Sequence, residues 1–246
     1  MPWLAAAFFA TALLYASVGF GGGSTYAALL ALSGLDYRLL PLIALACNIV
    51  VVAGSTIRFA RAKVTPWRGA LMMTALAAPA ALLGGLSPIT ESAFFLLLGA
   101  SLLLTGATMF VPVAEEQVDE PTSLARFMPV IAAPLGYLAG LVGIGGGIFL
   151  APLLHLTRWR DARAIAATAS LFILVNSLFG LAGQLLKRGP EAFGSAIYDN
   201  LPLLIAVAIG GQIGSLMALK LLPPRWIRWL TAALVTLVGA RLLSGL

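Results

Sequence analysis

The chain has 246 residues, of which 61% are apolar and only 10% are charged. An ordinary soluble domain carries about 25% charged residues, so this chain has too few charges to cover its apolar surface in water. A membrane-spanning helix needs ~20 apolar residues, and the chain has room for about eight, which predicts an all-α polytopic membrane protein. The net charge of +6 arises from basic residues at segment ends, where they orient a protein in the membrane. No nucleic-acid partner is therefore predicted.

The cysteine and histidine counts limit the chemistry further. With the single cysteine, Cys47, neither an internal disulfide nor a Cys-based metal cluster can form, and the single histidine, His155, argues against a multi-His metal transporter. We therefore expect no metal and no cofactor. The apolar opening, residues 1–19, lacks a basic leading region, so it is predicted to be a retained segment and not a cleaved signal peptide.

Two of the apolar runs are longer than the others, and glycines interrupt both. The interruptions begin at Gly19 and Gly143, 124 residues apart in a chain of 246, and each reads Gly-X-Gly-Gly-Gly. A spacing of half the chain indicates an internal repeat, with repeats at 1–113 and 127–246 joined by a hydrophilic linker at 114–126. The eight apolar runs lie at residues 2–33, 39–60, 67–87, 92–113, 127–156, 162–187, 201–222 and 226–246.

The distribution of Lys and Arg favours one topology. If all eight runs cross the membrane, the two faces hold eight and seven basic residues, which gives no orientation signal. If the two glycine-broken runs enter and return to the same face, the division becomes eleven to four, as the positive-inside rule requires. We therefore predict two inverted repeats, each with one glycine-broken helix plus three transmembrane helices, and a cytoplasmic linker. A break within a true crossing is the alternative.

Each break is expected to expose the N-terminus of a short helix, whose free N–H groups and partial positive charge suit an anion. Consecutive glycines also let a ligand approach the backbone closely. The simpler alternative is that the glycines only allow close helix packing. The predicted ligands are Gly21, Gly22, Gly23, Ser24 and Thr25 in the first break and Gly145, Gly146 and Gly147 in the second.

Four polar residues inside apolar helices complete the predicted substrate site: Asn48, Ser170, Asn176 and Gln212. For the two asparagines, a helix–helix hydrogen bond is the competing interpretation. All nine acidic residues fall in links or at helix ends, so no carboxylate lies within the membrane to bind a cation. A small anion held by neutral donors is the better prediction.

The duplicated glycine motif resembles that of the TauE/SafE family of sulfite and organosulfur-anion exporters. Its copies here are Gly19–Gly23 and Gly143–Gly147, and the second is followed by Ala151-Pro152-Leu153-Leu154. The first copy departs from the pattern, because Ala27-Ala28-Leu29 stands where proline is common. The resemblance implies export of sulfite, thiosulfate, sulfoacetate or a related sulfonate across the bacterial inner membrane.

We therefore expect a membrane transporter and not an enzyme, with a small sulfur-containing anion and the lipid bilayer as its partners. An anion channel and a permease subunit of a larger complex remain alternatives, and a homo-oligomer is left open. An intramembrane serine protease would use Ser24 as nucleophile and His155 as base. The duplicated glycine motif has no role in such an enzyme.

Overall fold

A computed structural model of the chain describes residues 2–17, 19–110, 122–217 and 224–244. These parts form eleven α-helices and one short 3-10 turn, with no strand among them. The helices are α1 (Pro2–Ser17), α2 (Gly23–Leu32), α3 (Leu40–Arg61), α4 (Trp67–Leu86), α5 (Glu91–Phe110), α6 (Met128–Val142), α7 (Gly147–Leu156), α8 (Ala162–Arg188), α9 (Pro190–Asp199), α10 (Leu201–Met217) and α11 (Pro224–Ser244).

Five segments are long and apolar enough to cross a membrane, by length and composition: α3, α4, α5, α8, and the 3-10 turn together with α6. A sixth is formed if α9 and α10, bent by 70°, count as one span. Large apolar side chains such as Leu71, Leu83 and Leu104 are 51–59% exposed on the outside of the bundle. Exposed apolar faces of this kind suit contact with lipid, and the predicted all-α polytopic fold is confirmed.

The predicted apolar runs correspond closely to the helices, with one omission. Helix α9 falls in the stretch between the apolar runs at 162–187 and 201–222, which was predicted to be a link. It starts at Pro190, directly after Gly189 with a φ of 83°, and buries only Ala196. A short helix lying on the surface has little apolar signal, so hydropathy alone does not reveal it. The linker prediction falls mostly on residues 111–121, which lie outside the described residues.

Both glycine-interrupted runs are indeed two helices separated by a break. The second run returns to the face at which it begins, because the backbone N–H and Oγ1 of Thr122, before α6, both donate to the carbonyl of Thr157, after α7. Trp159 packs against Gly69 in the first turn of α4: a β-carbon on that glycine would lie 2.5 Å from its Cζ2. The ends of α3 and α7 and the starts of α4, α6 and α8 thus share one side, called here the basic face because Arg61, Lys63, Arg68, Arg158, Arg160 and Arg163 lie there.

The first broken run approaches from the other side. After α2, Tyr37 packs on Phe94 at the start of α5, with 5.9 Å between ring centroids. The Nζ of Lys187, near the end of α8, donates to the carbonyl of Ser87 after α4, at 2.9 Å. These contacts gather the ends of α2, α4 and α8 at the face opposite the basic face. The inverted arrangement of the repeats in the membrane stays a prediction, which these contacts favour.

Two helix pairs that join the halves are counterparts of each other: α4 with α6, and α10 with α1. Helix α4 packs in parallel on α6, where Gly136 and Gly140 contact Ala77 and Ala81. Helix α10 packs in parallel on α1 in the same way, through Gly210 against Phe9 and Gly214 against Leu13. Small residues four apart let helix backbones approach closely in a membrane. These glycines lie within helices and allow close packing, whereas the glycines of the breaks lie between helices or at the start of one.

Helices α5 and α11 run antiparallel, with Gly99 beside Leu243 and Gly106 beside Thr236. Helix α5 is the last helix of the first half and α11 the last of the second. Their opposite directions agree with an exchange of the two halves, as the α4–α6 and α10–α1 pairs do. Helices α3 and α8 are the most buried of the spanning helices and pack against each other at the centre of the bundle. Both breaks lie against this central pair.

Candidate functional site

The two breaks end in the same backbone conformation. The residue before α2 is Gly22, with a φ of 81°, and the residue before α7 is Gly146, with a φ of 79°. Glycine adopts this left-handed conformation freely, whereas other residues pay roughly 1–2 kcal/mol. Neither helix has a side-chain cap, so the first amides of α2 and α7 lack the side-chain acceptor that usually satisfies a helix N-terminus.

The side chain of Asn48, on α3, lies between the two breaks. A β-carbon on Gly21 would lie 2.5 Å from its Oδ1, and a β-carbon on Gly145 would lie 2.7 Å from its Nδ2. On Gly23, a β-carbon would overlap the same amide. Only glycine therefore leaves room for Asn48 at these positions, and one amide contacts the broken helices of both halves.

Helix α8 supplies a second group of buried polar side chains. Asn176 and Ser177 are 0% exposed, as is Asn48, and the Oγ of Ser177 lies 3.1 Å from where a β-carbon of Gly145 would be. None of the side-chain N and O atoms of these three residues has a hydrogen-bond partner within the described parts of the chain. Each such buried group costs about 1–3 kcal/mol, which an additional hydrogen-bonding partner would recover.

Two of the predicted hydroxyl ligands already have protein partners. Ser170, on α8, donates its Oγ–H to the carbonyl of Gly19 in the first break. The Oγ1 of Thr25 lies 2.8 Å from the phenolic oxygen of Tyr15. Ser24 is buried at the second position of α2. Ser170 therefore joins the first half to α8 of the second half, and Thr25 joins α2 to α1.

Gln212 lies apart from the other predicted residues. It is exposed on α10, and a β-carbon on Gly54 would lie 3.2 Å from its Nε2 and 2.8 Å from Nη2 of Arg58. Gly54 follows Asn48 by six residues, about 9 Å along α3. The structure thus brings Asn48 of α3 and Ser177 of α8 together with glycines of the breaks, and Asn176 directly precedes Ser177, but it groups Gln212 with Arg58.

Two buried polar groups near the breaks are absent from the predicted site. The hydroxyl of Tyr26 has no partner among the described residues, and its oxygen would lie 3.2 Å from a β-carbon on Gly22. Ser177 is the other. Both directly follow predicted site residues in the sequence, so their proximity was a usable signal. A tyrosine in an apolar helix nevertheless indicates a packed core residue, and Tyr26 does stack on Phe8 with ring centroids 4.7 Å apart.

Among the described residues, no carboxylate lies in the interior of a helix that packs against the breaks. The acidic residues that the structure describes are Asp36, Glu91, Asp161, Glu191 and Asp199, and all lie in loops or at helix ends. The remaining polarity comes from helix N-termini, which carry partial positive charge, and from amide and hydroxyl groups. Such a site can surround a small anion with donors and offers a cation no counter-charge.

Comparisons with known proteins agree with this architecture. The family model described as "Sulfite exporter TauE/SafE" matches residues 4–242. A probable membrane transporter protein of Sinorhizobium fredii is 35% identical over 98% of this chain and 97% of its own length. A probable membrane transporter protein of Methanocaldococcus jannaschii is 27% identical over 42% of this chain and 40% of its own. No solved structure matches the chain.

The family match covers both glycine breaks and all of the helices except the first two residues of α1 and the last two of α11, and the Sinorhizobium relative matches almost from end to end. The resemblance inferred from the duplicated motif is thereby confirmed. The chain is a multi-pass membrane protein and belongs to the TauE/SafE sulfite exporter family of membrane transporters.

Proposed function

We propose that this transporter exports a small sulfur-containing anion, such as sulfite, thiosulfate, sulfoacetate or a related sulfonate, and binds it between the two glycine breaks. The observation that carries the proposal is the fully buried amide of Asn48, which has no hydrogen-bond partner among the described residues and lies between two uncapped helix N-termini. The description of the family as sulfite exporters supports the substrate class. The bacterial inner membrane is the proposed location.

The energetics of such a site are reasonable. Removing a small anion from water costs several kcal/mol, and hydrogen bonds to a charged group return about 1.5–3 kcal/mol each. Four to six donors would therefore hold it. The first amides of α2 and α7 and the Nδ2 groups of Asn48 and Asn176 supply that number without any charged side chain.

The inverted topology is part of the proposal. Contacts that bring both ends of the second broken run to the basic face, and the end of α2 in the first broken run to the opposite face, support it. The basic face would be cytoplasmic by the positive-inside rule. Transporters of this plan bind substrate at the midplane, where broken helices meet, and move one repeat against the other.

The alternatives gain less support from the geometry. In the serine-protease hypothesis His155 must reach the nucleophile, but it lies eight residues beyond Gly147, about 12 Å along α7 from the break. A channel has no need of an amide that contacts both halves at once. A permease subunit would require another chain, and transport by the purified protein alone would exclude it.

Two matched glycine substitutions test the site. Gly145 and Gly34 have nearly the same φ, 74° and 75°, so alanine should cost roughly 1–2 kcal/mol of backbone strain at either position. At Gly145 the new β-carbon would enter the space between Asn48 and Ser177, whereas at Gly34 no atom of the described residues lies within 4 Å. We expect Gly145→Ala to lower sulfite flux into proteoliposomes at least tenfold and Gly34→Ala to leave it close to wild type.

Thiosulfate and sulfoacetate would be assayed alongside sulfite, with acetate and phosphate as control anions. Equal flux in both variants would contradict a site at the breaks. Absence of flux of every sulfur anion in the wild-type protein would contradict the substrate class.

A further inference from the structure

Beyond the central site, we propose that Arg58 and Gln212 form a second oxyanion site, on the basic-face side of the break region. Arg58 lies in the last turn of α3, in the first half of the chain, and Gln212 lies on α10, in the second half. The proposal extends the path of the proposed anion transporter and to that extent depends on it.

The two side chains meet over one glycine. A β-carbon on Gly54 would lie 2.8 Å from Nη2 of Arg58, and 3.2 Å and 3.4 Å from Nε2 and Oε1 of Gln212. Any larger residue at this position of α3 would push one of the two side chains away. Gly54 therefore allows a guanidinium and a primary amide to lie side by side between the halves.

The guanidinium has donors that the described residues do not satisfy. Nη2 of Arg58 is buried and has no hydrogen-bond partner among them. The hydroxyls of Ser55 and Thr56, on the same stretch of α3, are also buried without a partner in the described parts of the chain, and Ser55 is only 3% exposed. A buried cation without an acceptor is unfavourable, so this cluster of donors favours an anion.

The chemistry of the cluster selects an oxyanion. Arginine presents a planar fork of N–H donors that binds two oxygens of a carboxylate, phosphate or sulfur oxyanion at once. The Nε2 amide of Gln212 adds a neutral donor beside it. A sulfite or sulfonate group from the transport path has this chemistry, and so does the phosphate of a lipid headgroup.

The location connects the two sites. Arg58 follows Asn48 by ten residues, about 15 Å along α3, and lies toward the basic face. Ser55 follows Asn48 by seven residues, two helical turns, and therefore lies on the same side of α3 as the asparagine. An anion entering from the basic face would meet Arg58 before it reaches the breaks.

Binding stoichiometry tests the proposal. Sulfite is titrated calorimetrically into the purified full-length protein in a non-ionic detergent, and wild type is expected to bind two equivalents. Arg58→Gln should weaken one site at least about tenfold and leave the other, and Arg58→Lys, which keeps the charge without the fork, should weaken the same site less. Arg61→Gln, three residues further on and exposed, is the matched control and should retain both sites. Unchanged thermal melting establishes that each variant is folded.

The outcomes separate this proposal from the central one. If Arg58→Gln and Gln212→Leu both bind sulfite as wild type does, or if no binding depends on Arg58, the second site is wrong. If Asn48→Leu retains all binding while Arg58→Gln loses one equivalent, the central site is wrong and the second site stands.

A repeat in nanodiscs with and without anionic phospholipid identifies the source of the oxyanion. Arg58-dependent sulfite binding that survives anionic lipid assigns the site to the transported anion. Loss of that binding assigns it to a lipid headgroup and overturns its place on the transport path.

Discussion

Among single residues, Asn48 and Asn176 matter most, because an amide inside an apolar helix destabilises the fold unless it has a hydrogen-bond partner. The competing interpretation of Asn48 was a hydrogen bond to a neighbouring helix, which averages only about 0.6 kcal/mol in membranes. The structure gives Asn48 and Asn176 no such bond among the described residues. The unmet donors and acceptors are therefore available to a ligand.

Replacement of Asn48 by leucine should separate stability from function. Leucine has a similar size and no polar group, so removal of the buried amide is expected to stabilise the protein by about 1–3 kcal/mol. Sulfite flux should fall at least tenfold, because a donor shared by both breaks is lost. The measurements are the thermal midpoint in detergent and flux in proteoliposomes.

Thr105→Val provides the matched control for that substitution. Thr105 is 1% exposed, and its Oγ1 is likewise buried without a partner among the described residues. It lies on α5 next to Gly106, which packs against Thr236 of α11. This variant should also gain stability and should transport normally. An Asn48→Leu protein that melts earlier than wild type and still transports would mean that the amide serves packing alone.

At the scale of elements, the broken helices decide the topology. A re-entrant second run puts Arg160 on the same face as Arg68, and puts Glu191 on the same face as Arg38. If the second run crossed the membrane, Arg160 would lie on the face of Arg38 and Glu191 on the face of Arg68. The contact between Thr122 and Thr157 across the ends of the α6–α7 segment favours the re-entrant form.

Cysteine labelling distinguishes these topologies directly. Cys47 is the single cysteine of the chain and is buried, so a Cys47→Ala background carrying one new cysteine at a time is available. Positions 38, 68, 160 and 191 are all exposed. In right-side-out vesicles, an impermeant maleimide should label the cysteines at 38 and 191 and not those at 68 and 160. Labelling at 160 together with 38 would contradict the re-entrant arrangement.

The same helices show which features could be predicted from the sequence. Apolar length and duplicated glycines located the helices and both breaks, because hydropathy and helix-breaking residues act locally. Helix α9 was missed, since its buried surface is small. The meeting of Asn48 with Gly145, and of Gln212 with Arg58, depends on how helices distant in the sequence pack. Spacing along the chain predicts that the asparagines correspond, but not that Asn48 contacts glycines of both breaks.

For the whole molecule, the placement of charge suggests what drives transport. The five acidic residues that the structure describes lie in loops or at helix ends, and the other four belong to the predicted linker, at positions 115, 116, 119 and 120. Carriers coupled to protons or Na⁺ usually use carboxylates within the membrane. An anion leaving a negative interior instead gains ~2.3 kcal/mol per charge per 100 mV from the membrane potential itself.

We therefore expect export to be an electrogenic uniport. In proteoliposomes, a potential of 100 mV should change the equilibrium distribution of a monovalent sulfonate such as isethionate by about fiftyfold. This follows because ~2.3 kcal/mol is gained per charge and each 1.4 kcal/mol is a factor of ten. Anions should accumulate on the positive side. A pH gradient imposed at zero potential should drive no accumulation, because a strong-acid sulfonate carries no proton and the described spanning helices have no carboxylate away from their ends to carry one. Accumulation that followed the pH gradient and ignored the potential would require a proton-coupled mechanism and a titratable group not identified among these residues.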